Sequence, residues 1–191
     1  MPLQPHPHPG SIRKAMKTLY LLRHAKSSWG DPGLPDHERR LNARGQAAAD
    51  AMGRHLAGRQ ALPAAILAST ARRVAETLEI LLPAAGLARQ TVTRDRGLYL
   101  AEPAALLGRL RQAPAEADSL LMVGHNPGLH DFAIRLAGEV SPEQQAAREH
   151  LRDAYPTCAL AVIAFPRADS WLEIGWGDGR LEDFVTPKDL S

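Results

Sequence analysis

The chain has 191 residues, 45% hydrophobic and 23% charged, values that fit one globular domain large enough for a real core. A formal net charge of +2, with the arginines scattered rather than massed, argues against a nucleic-acid partner and for a mixed, solvated surface. The single cysteine, Cys158, cannot form an internal disulfide, and no apolar stretch approaches the roughly 20 residues of a membrane span. A cytoplasmic location away from membranes is therefore expected.

Residues 1–15 hold Pro2, Pro5, Pro7 and Pro9 around His6 and His8 and lack the apolar core of a signal peptide. Alternating proline predicts an extended or disordered extension, with one domain over 16–191. Whether translation starts at Met1 or Met16 stays open. The first strand is predicted over Thr18–Arg23, an apolar run ending on Arg23 and His24. Lys26 to Arg40 reads as a polar loop that shapes a pocket mouth. Within it, Asp36-His37-Glu38 invites a metal-site reading. Three consecutive residues do not turn easily onto one ion, so no metal and no cofactor is expected. Arg39 or Arg40 could also reach the pocket, with exposed loop charge as the default reading.

A helix over Asn42–Leu56 carries Ala48, Met52 and Leu56 on one stripe. A strand over Ala64–Ala68 then runs into Ser69, a good helix N-cap, and a helix follows to Leu82 with Ala71, Ala75, Leu78 and Leu82 inward. That helix start offers free N–H groups, a positive dipole end, and Arg72 and Arg73. A short strand at Thr91–Arg94 and a helix over Glu102–Arg111 precede the run Leu120-Leu121-Met122-Val123-Gly124-His125-Asn126-Pro127. It reads as a second buried strand ending on a histidine. Helices over Gly128–Ala137 and Glu143–Leu151 follow. Strands at Ala159–Phe165, which contains a small-hydrophobe neighbourhood for Cys158, and at Trp171–Trp176 close the chain as an antiparallel pair.

Alternating strands and helices imply an α/β fold, a three-layer α/β/α sandwich with a mainly parallel central sheet. Ligands in such sheets bind outside the carboxyl ends of the strands. If the strands before His24 and His125 are parallel neighbours, both imidazoles and Arg23 emerge at one edge. Two imidazoles and a guanidinium at one spot suit an anion, above all a phosphoryl group.

The Arg23-His24-Ala25 strand end, Asp36 to Gly45, Ser69 to Thr77, Val123 to Pro127 and Pro156-Thr157 together resemble the histidine phosphatase superfamily, which includes phosphoglycerate mutases. Within it the chain is similar to the small SixA-type phosphohistidine phosphatase branch, from about Thr18 to Lys188. The wider superfamily usually has Gly after its nucleophilic His; Ala25 keeps the small side chain that close phosphate approach requires. The resemblance implies His24 as nucleophile, Arg23 and Arg73 as phosphate clamps, and a protonated His125 as donor to an equatorial oxygen, with Asn126 as a secondary donor. Choosing Arg73 over Arg72 rests on that resemblance, since helical spacing does not settle it. Mutase-like members carry a glutamate acid after the arginine-bearing helix, for which Glu102 is the nearby candidate; its place at a helix start equally fits a dipole role.

The resemblance implies a metal-independent phosphatase acting through a phosphohistidine intermediate on His24. Its substrate would be a phosphorylated protein, most simply phosphohistidine, or a small phosphorylated metabolite. A mutase-like enzyme, a non-catalytic phosphate-binding module on the same fold and a metallohydrolase stay open beside it.

Overall fold

The computed structural model describes residues 16–30, 32–138 and 144–190. The expected extension over 1–15 and the start of the helix expected at Glu143 lie outside them. Six strands form one sheet: β1 (Lys17–Arg23), β2 (Ala65–Ser69), β3 (Val92–Asp95), β4 (Ser119–Gly124), β5 (Leu160–Phe165) and β6 (Arg180–Val185). Their spatial order is β3-β2-β4-β1-β5-β6. β1, β2, β3 and β4 run parallel, and β5 and β6 add an antiparallel edge.

Among the described residues, five α-helices cover the sheet: α1 (Ala43–Ala57), α2 (Arg72–Ala84), α3 (Pro103–Leu110), α4 (Gly128–Leu136) and α5 (Gln145–Asp153). Strand alternation assigns them to two faces. Tyr20 and Leu22 of β1 point into one core with Met52 and Leu56 of α1 and Val74, Leu78 and Leu81 of α2. Leu19 and Leu21 point into the other, with Leu106 and Leu110 of α3, Phe132 and Leu136 of α4 and Leu151 of α5. The expected three-layer α/β/α sandwich is what forms. β1 lies between β4 and β5 with both faces covered, which is why its sequence is a continuous apolar run rather than an alternating one.

Three local expectations are corrected. Trp171–Trp176 is not a strand; residues Trp171–Glu173 make a single 3-10 turn, and the closing strand is β6. Trp171 and Ile174, three apart, are buried while Leu172 between them is 69% exposed, a period of three that a strand cannot produce. The Trp171 indole N–H donates to Ala117 O at 2.7 Å, which anchors the turn. Ser69 is not an N-cap: β2 runs through it, α2 starts at Arg72, and Ala71 is the capping position. Ala75 is only half-buried, and the inward face of α2 is Arg73, Val74, Thr77, Leu78, Leu81 and Leu82.

Candidate active site

Register brings the chemistry together. Arg23 at the end of β1 pairs with Gly124 at the end of β4, and Ala68 of β2 pairs with Val123 on the other side of β4. His24, His125 and Ser69 thus leave three adjacent parallel strands at one edge, as expected for a ligand site of this fold. The His24 and His125 ring centroids are 5.0 Å apart. A cavity of about 410 Å³ opens there, lined by Arg23, His24, Arg73, His125 and Asn126 together with residues of the 26–39 loop.

His24 is held in one tautomer. Its Nδ1 lies 2.8 Å from the Ala25 carbonyl oxygen, a contact only an N–H can make. Nε2 therefore keeps its lone pair, and it accepts from Arg73 Nε at 3.2 Å. Burial, aided by the Arg73 and Arg23 guanidinia, lowers the His24 pKa to about 3. The result is a neutral imidazole with an unprotonated nitrogen facing a guanidinium. The backbone beneath is fixed as well: Ala25 N donates to Thr77 Oγ1 at 3.0 Å, and Thr77 Oγ1 donates to Arg73 O at 2.6 Å. Cys158 N donates to the carbonyls of both Arg23 and His24 at 3.1 Å. Its thiol is buried, which pushes its pKa up to about 12 and leaves it unreactive.

His125 takes the opposite tautomer. Arg73 Nη2 donates to His125 Nδ1 at 3.2 Å, so the proton sits on Nε2, which donates to Ser69 Oγ at 2.8 Å. Burial first, then His24 and Arg73, lower its pKa to about 2. The protonated donor expected from the resemblance is thus a neutral ring in this arrangement, chiefly because burial disfavours the charged form and the Arg73 guanidinium adds to that.

Arg73 is the hub. It is 3% exposed, reaches both histidines, and is gripped from the loop by Asp36, whose carbonyl oxygen accepts from Nη1 at 2.6 Å and whose Oδ2 accepts from Nη2 at 3.0 Å. Arg72, one residue away, points outward to Glu76 at 2.9 Å, an i, i+4 surface pair. Arg23 commits Nη1 to Tyr155 O at 2.8 Å, and burial followed by Arg73 lowers its pKa. Asn126 lines the cavity, but its Nδ2 donates to the same Tyr155 oxygen at 2.9 Å. Glu102 is exposed and stands outside the cavity lining. It is the residue before α3 and makes no side-chain capping bond.

The loop supplies two residues to which the sequence assigned no place in the site, Asp36 from the triplet with metal-like letters and Arg39, whose default reading was loop charge. Asp36 accepts from Arg39 Nη1, Arg73 Nη2 and the Tyr99 hydroxyl at 2.8, 3.0 and 2.6 Å. Burial alone would raise its pKa, but the Tyr99, Arg39 and Arg73 contacts outweigh it and hold the carboxyl at about 2. Arg39 is buried, not exposed, with Nη2 on Ser27 Oγ at 2.7 Å and its guanidinium stacked 3.2 Å from the centre of the Trp29 ring. Arg40 remains exposed. One signal was available for Thr77: a polar residue four positions after Arg73, on an otherwise apolar stripe.

A model of the histidine phosphatase superfamily, branch 1, matches residues 19–102. The chain belongs to the histidine phosphatase superfamily, in its SixA-type branch, and is an enzyme with phosphatase activity. It is similar to a protein of Agrobacterium tumefaciens assigned as phosphohistidine phosphatase SixA, at 31% identity and a TM-score of 0.70, over 90% of this chain and 99% of that one. A protein of Nakamurella multipartitia with the same assignment is 27% identical, with a TM-score of 0.74 over 90% and 96% of the two chains. An uncharacterised protein of Mycobacterium tuberculosis is 34% identical over 169 residues, which are 87% of this chain and all of the relative.

The two depressed histidines tie stability to pH. Their folded values, about 3 and about 2, lie below the ordinary 6.5, so on acidification the unfolded chain takes up protons first. This contribution is fully present above 6.5 and is lost progressively as pH falls toward the folded values. Asp36 adds a loss of the same sign only below its ordinary 3.8. Thermal melts at about pH 7 and about pH 5 should therefore show a lower Tm at the acid pH. The drop should be smaller in His125→Ala; an equal drop there would remove this histidine as its source.

Proposed function

We propose that the enzyme hydrolyses phosphohistidine on proteins, with His24 Nε2 as the attacking atom. The observation that carries this reading is the pairing of an unprotonated Nε2 under the Arg73 guanidinium with a cavity whose described lining has one carboxylate, Asp36, held ionised by its partners. Phosphoryl transfer is catalysed mainly by positioning and charge neutralisation, so two arginine forks and a histidine suffice for the phosphoryl oxygens. The bond from Nε2 to phosphorus forms as the bond from phosphorus to the substrate nitrogen breaks, and that nitrogen departs with its electron pair. Water then attacks phosphorus, returns Nε2 its lone pair and releases inorganic phosphate. Phosphoryl charge in the cavity offsets Arg73 and Arg23 and lets His125 take up a proton and donate to an equatorial oxygen.

Leaving-group chemistry favours phosphohistidine over an alkyl phosphate. Imidazole whose ring already carries a proton departs neutral, whereas an alkoxide requires a proton from a nearby acid. Asp36 is too acidic to supply one, and Glu102 is not at the cavity. A steady-state comparison of a phosphohistidine peptide, a phosphoserine peptide, 3-phosphoglycerate and p-nitrophenyl phosphate tests this. The phosphohistidine peptide should be turned over far faster than phosphoserine or 3-phosphoglycerate, and Glu102→Gln should leave its rate unchanged. A preference for an alkyl phosphate that collapses in Glu102→Gln would make the enzyme a mutase-like or small-metabolite phosphatase, with Glu102 as its acid.

A further inference from the structure

The His24 cavity adjoins a second one of about 700 Å³, and the two share Lys26 and Thr157 in their walls. The floor of the second is the small-residue face of α1, Ala47, Ala48 and Ala51. Lys26, Arg44 and Lys188 bring positive charge to its walls, and no Asp or Glu is among its described lining residues. Asp50, Glu149, Asp153 and Asp189 adjoin lining residues in sequence; Asp50 pairs with Arg54, Glu149 accepts from Gln145, and Asp189 is turned back onto Thr186, accepting from its N and Oγ1 at 2.7 Å each.

Unpaired cations are not peculiar to this wall, since Arg40, Arg89 and Arg94 also make no ion pair among the described residues; what sets Lys26 and Arg44 apart is that they line a cavity. The chain carries a net charge of only +2, and Arg54, Arg59, Arg72, Arg109 and Arg180 each have a carboxylate partner on the surface. The exposed side chains of Lys26 and Arg44 make no ion pair among the described residues. A concave wall of one sign focuses its field on an incoming ligand of the other. A phosphorylated side chain seated at His24 leaves its main chain at the cavity mouth, where Lys26 and Thr157 mark the way into the second cavity.

We propose that the second cavity receives the acidic segment flanking the phosphorylated residue of a protein substrate, its carboxylates facing Lys26 and Arg44 and its smaller side chains resting on the alanine floor of α1. This rests on the reading that His24 accepts a phosphoryl group from a protein. It gives the enzyme a means of selecting a protein by charge beside the phosphate, apart from the phosphoryl chemistry. The cavities also differ in what they hold: arginine forks backed by buried hydrogen bonds at His24, solvated cations over a shallow apolar floor here.

The test uses phosphohistidine peptides of equal length with acidic, neutral or lysine-rich flanks, alongside phosphoramidate, which has no flank. The wild-type enzyme should prefer the acidic peptide. Arg44→Glu should lower kcat/KM for that peptide by roughly tenfold, chiefly through KM, leave phosphoramidate turnover unchanged and improve the lysine-rich peptide. Glu at the second residue of α1 suits the positive end of the helix, so the variant should fold. An unphosphorylated acidic peptide should compete with the acidic substrate, and less well in Arg44→Glu. Equal kcat/KM on all three flanks with phosphoramidate still turned over would overturn this proposal alone. Competition by a single-stranded oligonucleotide but not by the acidic peptide would assign the cavity to nucleic acid and overturn it too. Failure to hydrolyse either phosphoramidate or any phosphohistidine peptide would overturn the parent reading, and this one with it.

Discussion

His24→Ala should abolish phosphatase turnover, by roughly 10⁴-fold or more, while leaving the fold in place. Among the described residues at the cavity, His24 Nε2 bears the nitrogen lone pair that faces Arg73 Nε. Its removal leaves the arginines to bind phosphate with no acceptor for the phosphoryl group. The fold should survive because the strand end is held by backbone bonds the side chain does not make: Ala25 N to Thr77 Oγ1, and Cys158 N to the carbonyls of residues 23 and 24. The variant removes a ring that is neutral when folded, so its melt near neutral pH should change little. Near-normal turnover by a folded His24→Ala protein would sink the mechanism.

Arg73→Ala and Arg72→Ala should behave very differently despite being neighbours. Arg73 touches His24, His125 and Asp36, whereas Arg72 meets only Glu76 on the helix exterior. Losing one such donor from the site typically costs about 2.7–4 kcal/mol of transition-state stabilisation, or about 10² to 10³ in rate. Arg72→Ala forfeits a half-buried i, i+4 pair of about 0.3–0.5 kcal/mol and should retain near-normal kcat/KM. Vanadate inhibition gives a second readout and should weaken in parallel with the rate only for Arg73→Ala. Equal losses at the two positions would place the phosphate clamp elsewhere.

The difference between these neighbours marks where the sequence ceases to be readable. Apolar runs that end abruptly on a charged residue announce buried parallel strands, so the edge carrying Arg23, His24 and His125 was legible at once. The ordered motif blocks were legible as a family resemblance. Which arginine of Arg72-Arg73 faces inward depends on where α2 begins, and Ser69 looked like its cap. The chain instead carries β2 one residue further and uses Ser69 Oγ to receive the His125 proton donor. A strand-end serine and a helix-cap serine are the same letter in sequence.

The loop is the other blind spot. Asp36 and Arg39 lie in a segment without periodicity, where side-chain direction is set by tertiary partners rather than by spacing. Only when the turn after β3 places Tyr99 nearby and α2 places Arg73 there does Asp36 become the carboxylate that fixes the clamp. β6 was missed for a different reason. Glu182 and Asp183 interrupt its apolar pattern because it is the edge strand, while Trp171 and Ile174 offered a more apolar decoy.

The central claim, a phosphoryl group carried on His24 Nε2, is tested most directly by trapping it. The enzyme would be mixed briefly with phosphoramidate, quenched without acid and analysed by mass spectrometry and phosphorus NMR. Nδ1 is occupied by its bond to Ala25 O, so the account predicts one phosphoryl group, on the peptide containing His24, linked through Nε2 and lost in His24→Ala. An enzyme that turns over phosphoramidate yet carries the label on another residue, or through Nδ1, would contradict it.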